Sequence, residues 1–144
     1  MTLGVFAVIL AMQTGGRRLE TIGDLSGAAR TQPGLAFVMA ALMFSLIGIP
    51  PLAGFFGKFY VFAAAIEAKL FALAVIGILA SVVSAFYYLR IIKVMYFDEP
   101  APAFQTAGGE IRAVMWASAA FVVLFALVAN PIRTMAAAAA RSLF

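Results

Sequence analysis

The 144 residues contain no cysteine and no histidine. Their absence excludes disulfides, thiol nucleophiles, metal sites built on thiolate or imidazole, haem ligation through those side chains, and histidine acid–base catalysis. Charge is also scarce. Only 11% of the residues are charged, and the six acidic ones lie mostly near polar connections. No carboxylate cluster for a metal follows from that distribution. The ten basic residues leave a net charge of +4, but they are scattered between apolar runs. That pattern suits loops beside membrane spans, not a nucleic-acid-binding stripe. No basic segment precedes the apolar start, so no signal peptide is expected.

What is present is apolar. Hydrophobic residues make up 65% of the chain, and its mean hydropathy is +1.08. A soluble domain is roughly half apolar and a quarter charged. These charges are too few to cover a soluble surface, so an all-α membrane protein is expected, with the lipid bilayer as its surroundings.

Residues 1–144 divide as one membrane region. Residues 1–12 read as the end of a helix, stopped by Gly15-Gly16 before Arg17-Arg18. A span needs about 20 apolar residues. Met1 is therefore expected to lie inside a helix that starts upstream in a longer parent; a short interfacial helix is the alternative. Residues 17–33 form a polar connection, with a short amphipathic turn in Thr21–Gly27. Residues 35–66 are too long for one straight span and too short for two. Residues 70–97 read as one helix anchored by Arg90, Lys93 and three tyrosines at an interface. Residues 111–129 read as a further helix, with Trp116 as an interface anchor and Asn130-Pro131 as its stop. Residues 130–144 read as a terminal tail, its alanine run forming a short surface helix. About four transmembrane helices are expected.

Within residues 35–66 stands Gly48-Ile49-Pro50-Pro51-Leu52-Ala53-Gly54-Phe55-Phe56-Gly57-Lys58-Phe59. Adjacent prolines lack N–H groups and clash with the preceding turn, so they end a helix. Such a break within a membrane requires protein or a water-filled cavity to satisfy the freed backbone. The segment is expected to be one span in two half-helices, 35 to about 47 and about 55 to 66. A hairpin turning at Pro50-Pro51 is the alternative, but residues 49–59 are too apolar for an aqueous loop.

Lys58 is the candidate functional residue. A lysine near mid-membrane costs about 2.5–3.5 kcal/mol on insertion scales. Desolvation and the positive end of the second half-helix disfavour its ammonium. Open carbonyls at the end of the first half-helix push the other way. A lysine balanced between these can change its protonation, which a proton relay requires; snorkelling to an interface is the simpler alternative. Pro50 and Pro51 would make the break, and Gly54 and Gly57 would leave room for backbone or water. Ser81, Ser84 and Tyr88 share one helix face. That face could be hydrated opposite Lys58, or could simply bond neighbouring helices.

The run Met43–Val61, which includes Gly48-Ile49-Pro50-Pro51-Leu52-Ala53-Gly54-Phe55-Phe56-Gly57-Lys58, resembles the subunit N family of bacterial respiratory complex I. These are the antiporter-like, proton-translocating membrane subunits of NADH:quinone oxidoreductase. Ser84–Ile92 and Leu19–Gly27 resemble the same family, although Ala28 follows Gly27 where the family pattern has leucine. The likeness is best over residues 21–96 and weak after Pro102. It implies a fourteen-helix fold with inverted five-helix repeats, of which this chain would be the C-terminal part. Lys58 would be a proton-relay station on a central hydrophilic axis. Its partner lysines and glutamate would lie on helices that have no counterpart here. NADH, FMN, iron–sulfur clusters and quinone would belong to other subunits, and no cofactor is expected in this chain. The implied partners are the neighbouring antiporter-like subunits. A related cation/proton antiporter or hydrogenase membrane subunit, or a non-transporting helical scaffold, remains the alternative.

Location follows from the bases. One set of loops carries Arg17, Arg18, Arg30, Arg90, Lys93 and Arg112, and the other Lys69, Arg133 and Arg141. The excess of six over three puts the first set in the cytoplasm and the C-terminus in the periplasm of a bacterial inner membrane.

Overall fold

The computed structural model describes the backbone of residues 1–14, 17–18, 21–101 and 108–141, and side chains for 1–12, 21–101 and 108–125. The fold is all-α apart from a two-residue antiparallel pair, Gln13↔Arg18 and Thr14↔Arg17. Helix α1 spans Thr2–Ala11. A 3₁₀ turn at Ile22–Leu25 is closed by a capping box between Thr21 and Asp24, and the short α2 spans Ala28–Thr31. Then come α3 (Pro33–Ile47), α4 (Ala53–Glu67), α5 (Phe71–Phe97) and α6 (Gly109–Arg141). The glycines expected to stop α1 and the Leu19-Glu20 pair lie outside the described residues. So do the side chains of Arg17, Arg18, Arg133 and Arg141.

The core gathers around α3. Val38, Met39 and Leu42 are buried against Val8 of α1, Met95 of α5, and Met115, Ala119 and Val122 of α6. Neighbouring contacts give the helix directions. Along α1 and α3, Met1 meets Ser45 and Gly4 meets Leu42, so these helices are antiparallel. Along α6, Trp116 packs on Gly34, Val123 shares a groove with Phe44, and Phe125 meets Phe56 of α4. Thus α6 runs alongside α3 and on to α4 in the same direction.

Helix α5 decides between broken span and hairpin. Its Gly77 receives Phe62 of α4, while its Tyr96 and Phe97 share a groove with Phe37 of α3. Gly77 and Tyr96 stand 19 residues apart on one helix, about 28 Å at 1.5 Å per residue. A hairpin would fold Phe62 back beside the start of α3, at the level of Tyr96. Instead α4 continues α3. Each half has 15 residues, about 22 Å and short of the roughly 30 Å hydrocarbon core. Together they match the 27 residues of α5, which among the described residues is the one helix long and apolar enough to cross a membrane alone.

Two boundaries differ from expectation. Helix α6 does not stop at Asn130-Pro131, and the alanine run is not a separate tail helix. The backbone is helical from Gly109 to Arg141. One proline removes one bond from a ladder of 33 residues, and membrane helices tolerate such a loss where neighbours absorb it. Helix α4 also starts at Ala53, not near Phe55.

The polar connection is strapped to the end of α5. The Gly27 N–H donates to the Val94 carbonyl (3.1 Å), and the Ala101 N–H to the Ser26 carbonyl (2.9 Å). The Ser26 hydroxyl donates to the Glu99 carbonyl at 2.6 Å. At the other end of α5, Ala68 and Lys69 make the tight turn from α4, with Lys69 at φ 59°.

Candidate functional site

The break is built from a helix stop, a turn and a helix start. Gly48 stops α3 in the left-handed region, at φ 94°. Its N–H bonds to the Phe44 and Ser45 carbonyls, and the Ile49 N–H reaches back to Phe44. Glycine suits this cap because it lacks the Cβ that penalises positive φ. Residues 49–52 then turn tightly, with the Leu52 N–H on the Ile49 carbonyl at 3.0 Å and a cis peptide between Pro50 and Pro51. Helix α4 restarts behind Leu52, whose apolar side chain makes no capping bond.

Lys58 points back across this break. Its Nζ donates to the carbonyl of Ile47, the last residue of α3, at 3.1 Å. The carbon stem of Lys58 lies over Gly48, where a Cβ would stand 3.2 Å from Lys58 Cδ. The Ile47 carbonyl is one of those a helix end leaves without an internal partner, and a negative dipole end favours a cation there. Lys58 is half-buried and, among the described residues, forms no ion pair with a carboxylate. It is the sixth residue of α4, two residues deeper than expected and so beyond the first turn. The positive end of α4 therefore acts on it weakly, since that field fades beyond the first turn.

The other candidates separate. Pro50 and Pro51 form the turn. Gly54 is buried at a backbone contact with α3: an added Cβ would sit 1.7 Å from the Ser45 carbonyl oxygen. Gly57 faces open space, with nothing within 4 Å. Ser81 and Ser84 donate to their own helix, to the Gly77 and Ala80 carbonyls at 3.0 and 2.9 Å. Tyr88 packs against the α3-centred core. Among the described residues, none of these three hydroxyls forms a hydrogen bond with Lys58. Phe55 and Phe59 stack at 5.8 Å beside the lysine's turn, and Phe56 docks on Phe125 at 5.8 Å.

Sequence reasoning missed Ser45. It is fully buried, and its hydroxyl accepts the Gly54 N–H at 3.0 Å while donating to Met1 Sδ. A serine inside an apolar helix gives little sign of a partner nine residues on. The only signal was its place one helical turn before the break. Among the described residues, no group of three acidic side chains could hold a metal ion.

The chain is similar to NADH-quinone oxidoreductase subunit N of Methylobacterium nodulans, with 60% identity over all of its length. The proteins of the same name from Paramagnetospirillum magneticum and Azorhizobium caulinodans are 55% and 59% identical over all of it. The chain spans 30% of the length of each of these relatives. Among solved structures it resembles a chain of respiratory complex I from Thermus thermophilus with bound aureothin. The TM-score is 0.76 at 29% identity, over 88% of this chain and 29% of that one. Residues 1–84, which include the break, Lys58 and most of α1 to α5, match the NADH:quinone oxidoreductase/Mrp antiporter transmembrane family. The chain is a membrane protein that belongs to this family.

Proposed function

We propose that the chain works as part of a proton-translocating subunit of NADH:quinone oxidoreductase, with Lys58 as a station of its proton path. The observation that carries this is the half-buried ammonium of Lys58 set on a helix-end carbonyl inside a broken span. The Ile47 carbonyl takes one N–H of Nζ, which leaves the rest of the head group to meet a proton acceptor. The proton leaves when a water, a carboxylate or a neutral lysine approaches and Nζ becomes an amine. Reprotonation from the opposite side completes one transfer, with no electron moved in this chain. Such an approach needs little backbone rearrangement, because the two half-helices already expose backbone groups at this depth.

Quinone reduction and NADH oxidation would proceed in other subunits, which hold the flavin, iron–sulfur and quinone chemistry. The partners would be neighbouring membrane subunits, with lipid against the exposed apolar flank of α5. The chain would lie in a bacterial inner membrane with its C-terminus periplasmic, as the distribution of Lys and Arg favours. Because the matched family also takes in Mrp antiporters, cation/proton antiport through the same lysine is the second reading.

The test is Lys58→Ala in the full-length protein within its membrane complex. Assembly should persist and proton pumping per electron should fall sharply. Normal pumping with normal assembly would refute the relay. Failed assembly would show that Lys58 serves structure, as a scaffold requires.

A further inference from the structure

A serine within a helix usually bonds back to its own preceding turn. Ser45 does not. It is fully buried in the last turn of α3, and its hydroxyl takes the Gly54 N–H at 3.0 Å. Gly54 is the second residue of α4, so its N–H is one of the donors that a helix start leaves without an internal partner. The residue placed to cap it locally, Leu52, has no polar side-chain atom to offer. The missing cap is supplied from the other half-helix.

The contact is close on both sides. The Gly54 Cα rests against the Ser45 backbone, with room for no Cβ. Gly54 and Lys58 are four residues apart and so share one face of α4. Clamping that face onto α3 sets how far Lys58 must reach. A helical side chain leans toward the N-terminus of its helix, which aims Nζ at the Ile47 carbonyl.

We propose that Ser45 is a positioning residue for Lys58. Its hydroxyl caps α4 from across the break and thereby holds the ammonium on the Ile47 carbonyl. Its relevance to transport rests on the reading of Lys58 as a proton carrier, but the positioning itself can be measured without pumping.

The experiment uses the full-length protein in its native complex with three variants. Ser45→Ala removes the hydroxyl. Ser45→Cys keeps most of the volume but leaves only a weak acceptor. Ser45→Thr restores a hydroxyl. Two quantities are read by mass spectrometry: exchange of the Gly54 amide, and acylation of Lys58 by a membrane-permeant amine reagent. Ser45→Ala and Ser45→Cys should speed Gly54 exchange about tenfold, as expected when a buried donor loses its acceptor. They should raise Lys58 acylation several-fold in parallel, and Ser45→Thr should restore both. Unchanged exchange, or faster exchange with unchanged acylation, would overturn the proposal. Should Ser45→Ala fail to assemble, Ser45→Cys carries the same two readouts. The Lys58→Ala pumping result judges the relay separately, so the two ideas can fail independently.

Discussion

Gly54→Ala puts a single methyl where α4 meets α3. The new Cβ would lie 1.7 Å from the Ser45 carbonyl oxygen and 2.7 Å from its carbon, against an ordinary contact of 3.4 Å or more. Both atoms belong to backbone, so no side chain can swing aside. The start of α4 must retreat by about 1.5–2 Å to restore normal contact. That retreat breaks the 3.0 Å bond from the Gly54 N–H to Ser45 and draws Lys58 away from its 3.1 Å contact. Overpacking contributes about 1–3 kcal/mol, and stranding a buried N–H a similar amount. A loss of about 2–6 kcal/mol is expected. Gly57→Ala is the control. It faces open space, and alanine there improves helix propensity by up to about 1 kcal/mol. With the proposed function as the frame, the assay compares the two variants by thermal disassembly of the complex in detergent and by protons pumped per electron. Gly54→Ala should fall in both, and Gly57→Ala in neither. Equal behaviour of the two, with Gly54→Ala as stable as the parent, would refute the close approach.

Gly48→Ala places a side chain at φ 94° and presses it on the Lys58 stem at 3.2 Å. A stability loss of about 1–2 kcal/mol is expected, seen as a lower disassembly temperature. Gly27→Ala would bring a Cβ within 2.4 Å of Pro100 Cα at φ 61°; it should unstrap the connection from α5 and speed protease cleavage just after that helix. At Gly77 the nearest atom is the movable edge of Phe62, 2.7 Å from an added Cβ. Alanine should therefore be mild there, while Gly77→Leu should cost about 1–3 kcal/mol, measured by the same disassembly assay.

Much of the fold was legible because membrane sequences punctuate strongly. Gly48 and the two prolines stop one helix, Glu67–Lys69 turns the chain, and Asp98–Pro100 ends α5. The helical character and the family follow from apolar runs and from one specific motif. What stayed hidden depends on neighbours. Pro131 reads as a stop, yet the helix continues through it, since one lost bond is outweighed by the rest of a long ladder. Ser81 and Ser84 share a face with Tyr88, but sequence spacing cannot say whether a hydroxyl turns outward or back to its own carbonyl. Lys58 was visible as a charge in an apolar run. The open carbonyls at the end of the first half-helix were expected to act on it, but which of them takes Nζ depends on where α3 ends and how α4 sits against it, and it is that of Ile47. Ser45 was hidden for the same reason: its partner is a backbone N–H that exists as a free donor only once α4 has begun.

Helix α5 lies unbroken along both halves of a severed neighbour, as a splint lies along a fracture. Gly77 forms a notch that takes the edge of the Phe62 ring, the tight turn at Lys69 bonds this end of α5 to α4, and the far end is tied by backbone bonds at Val94 and through the strap at Ser26. A splint held at both ends keeps the two half-helices in line across a break that the prolines leave open.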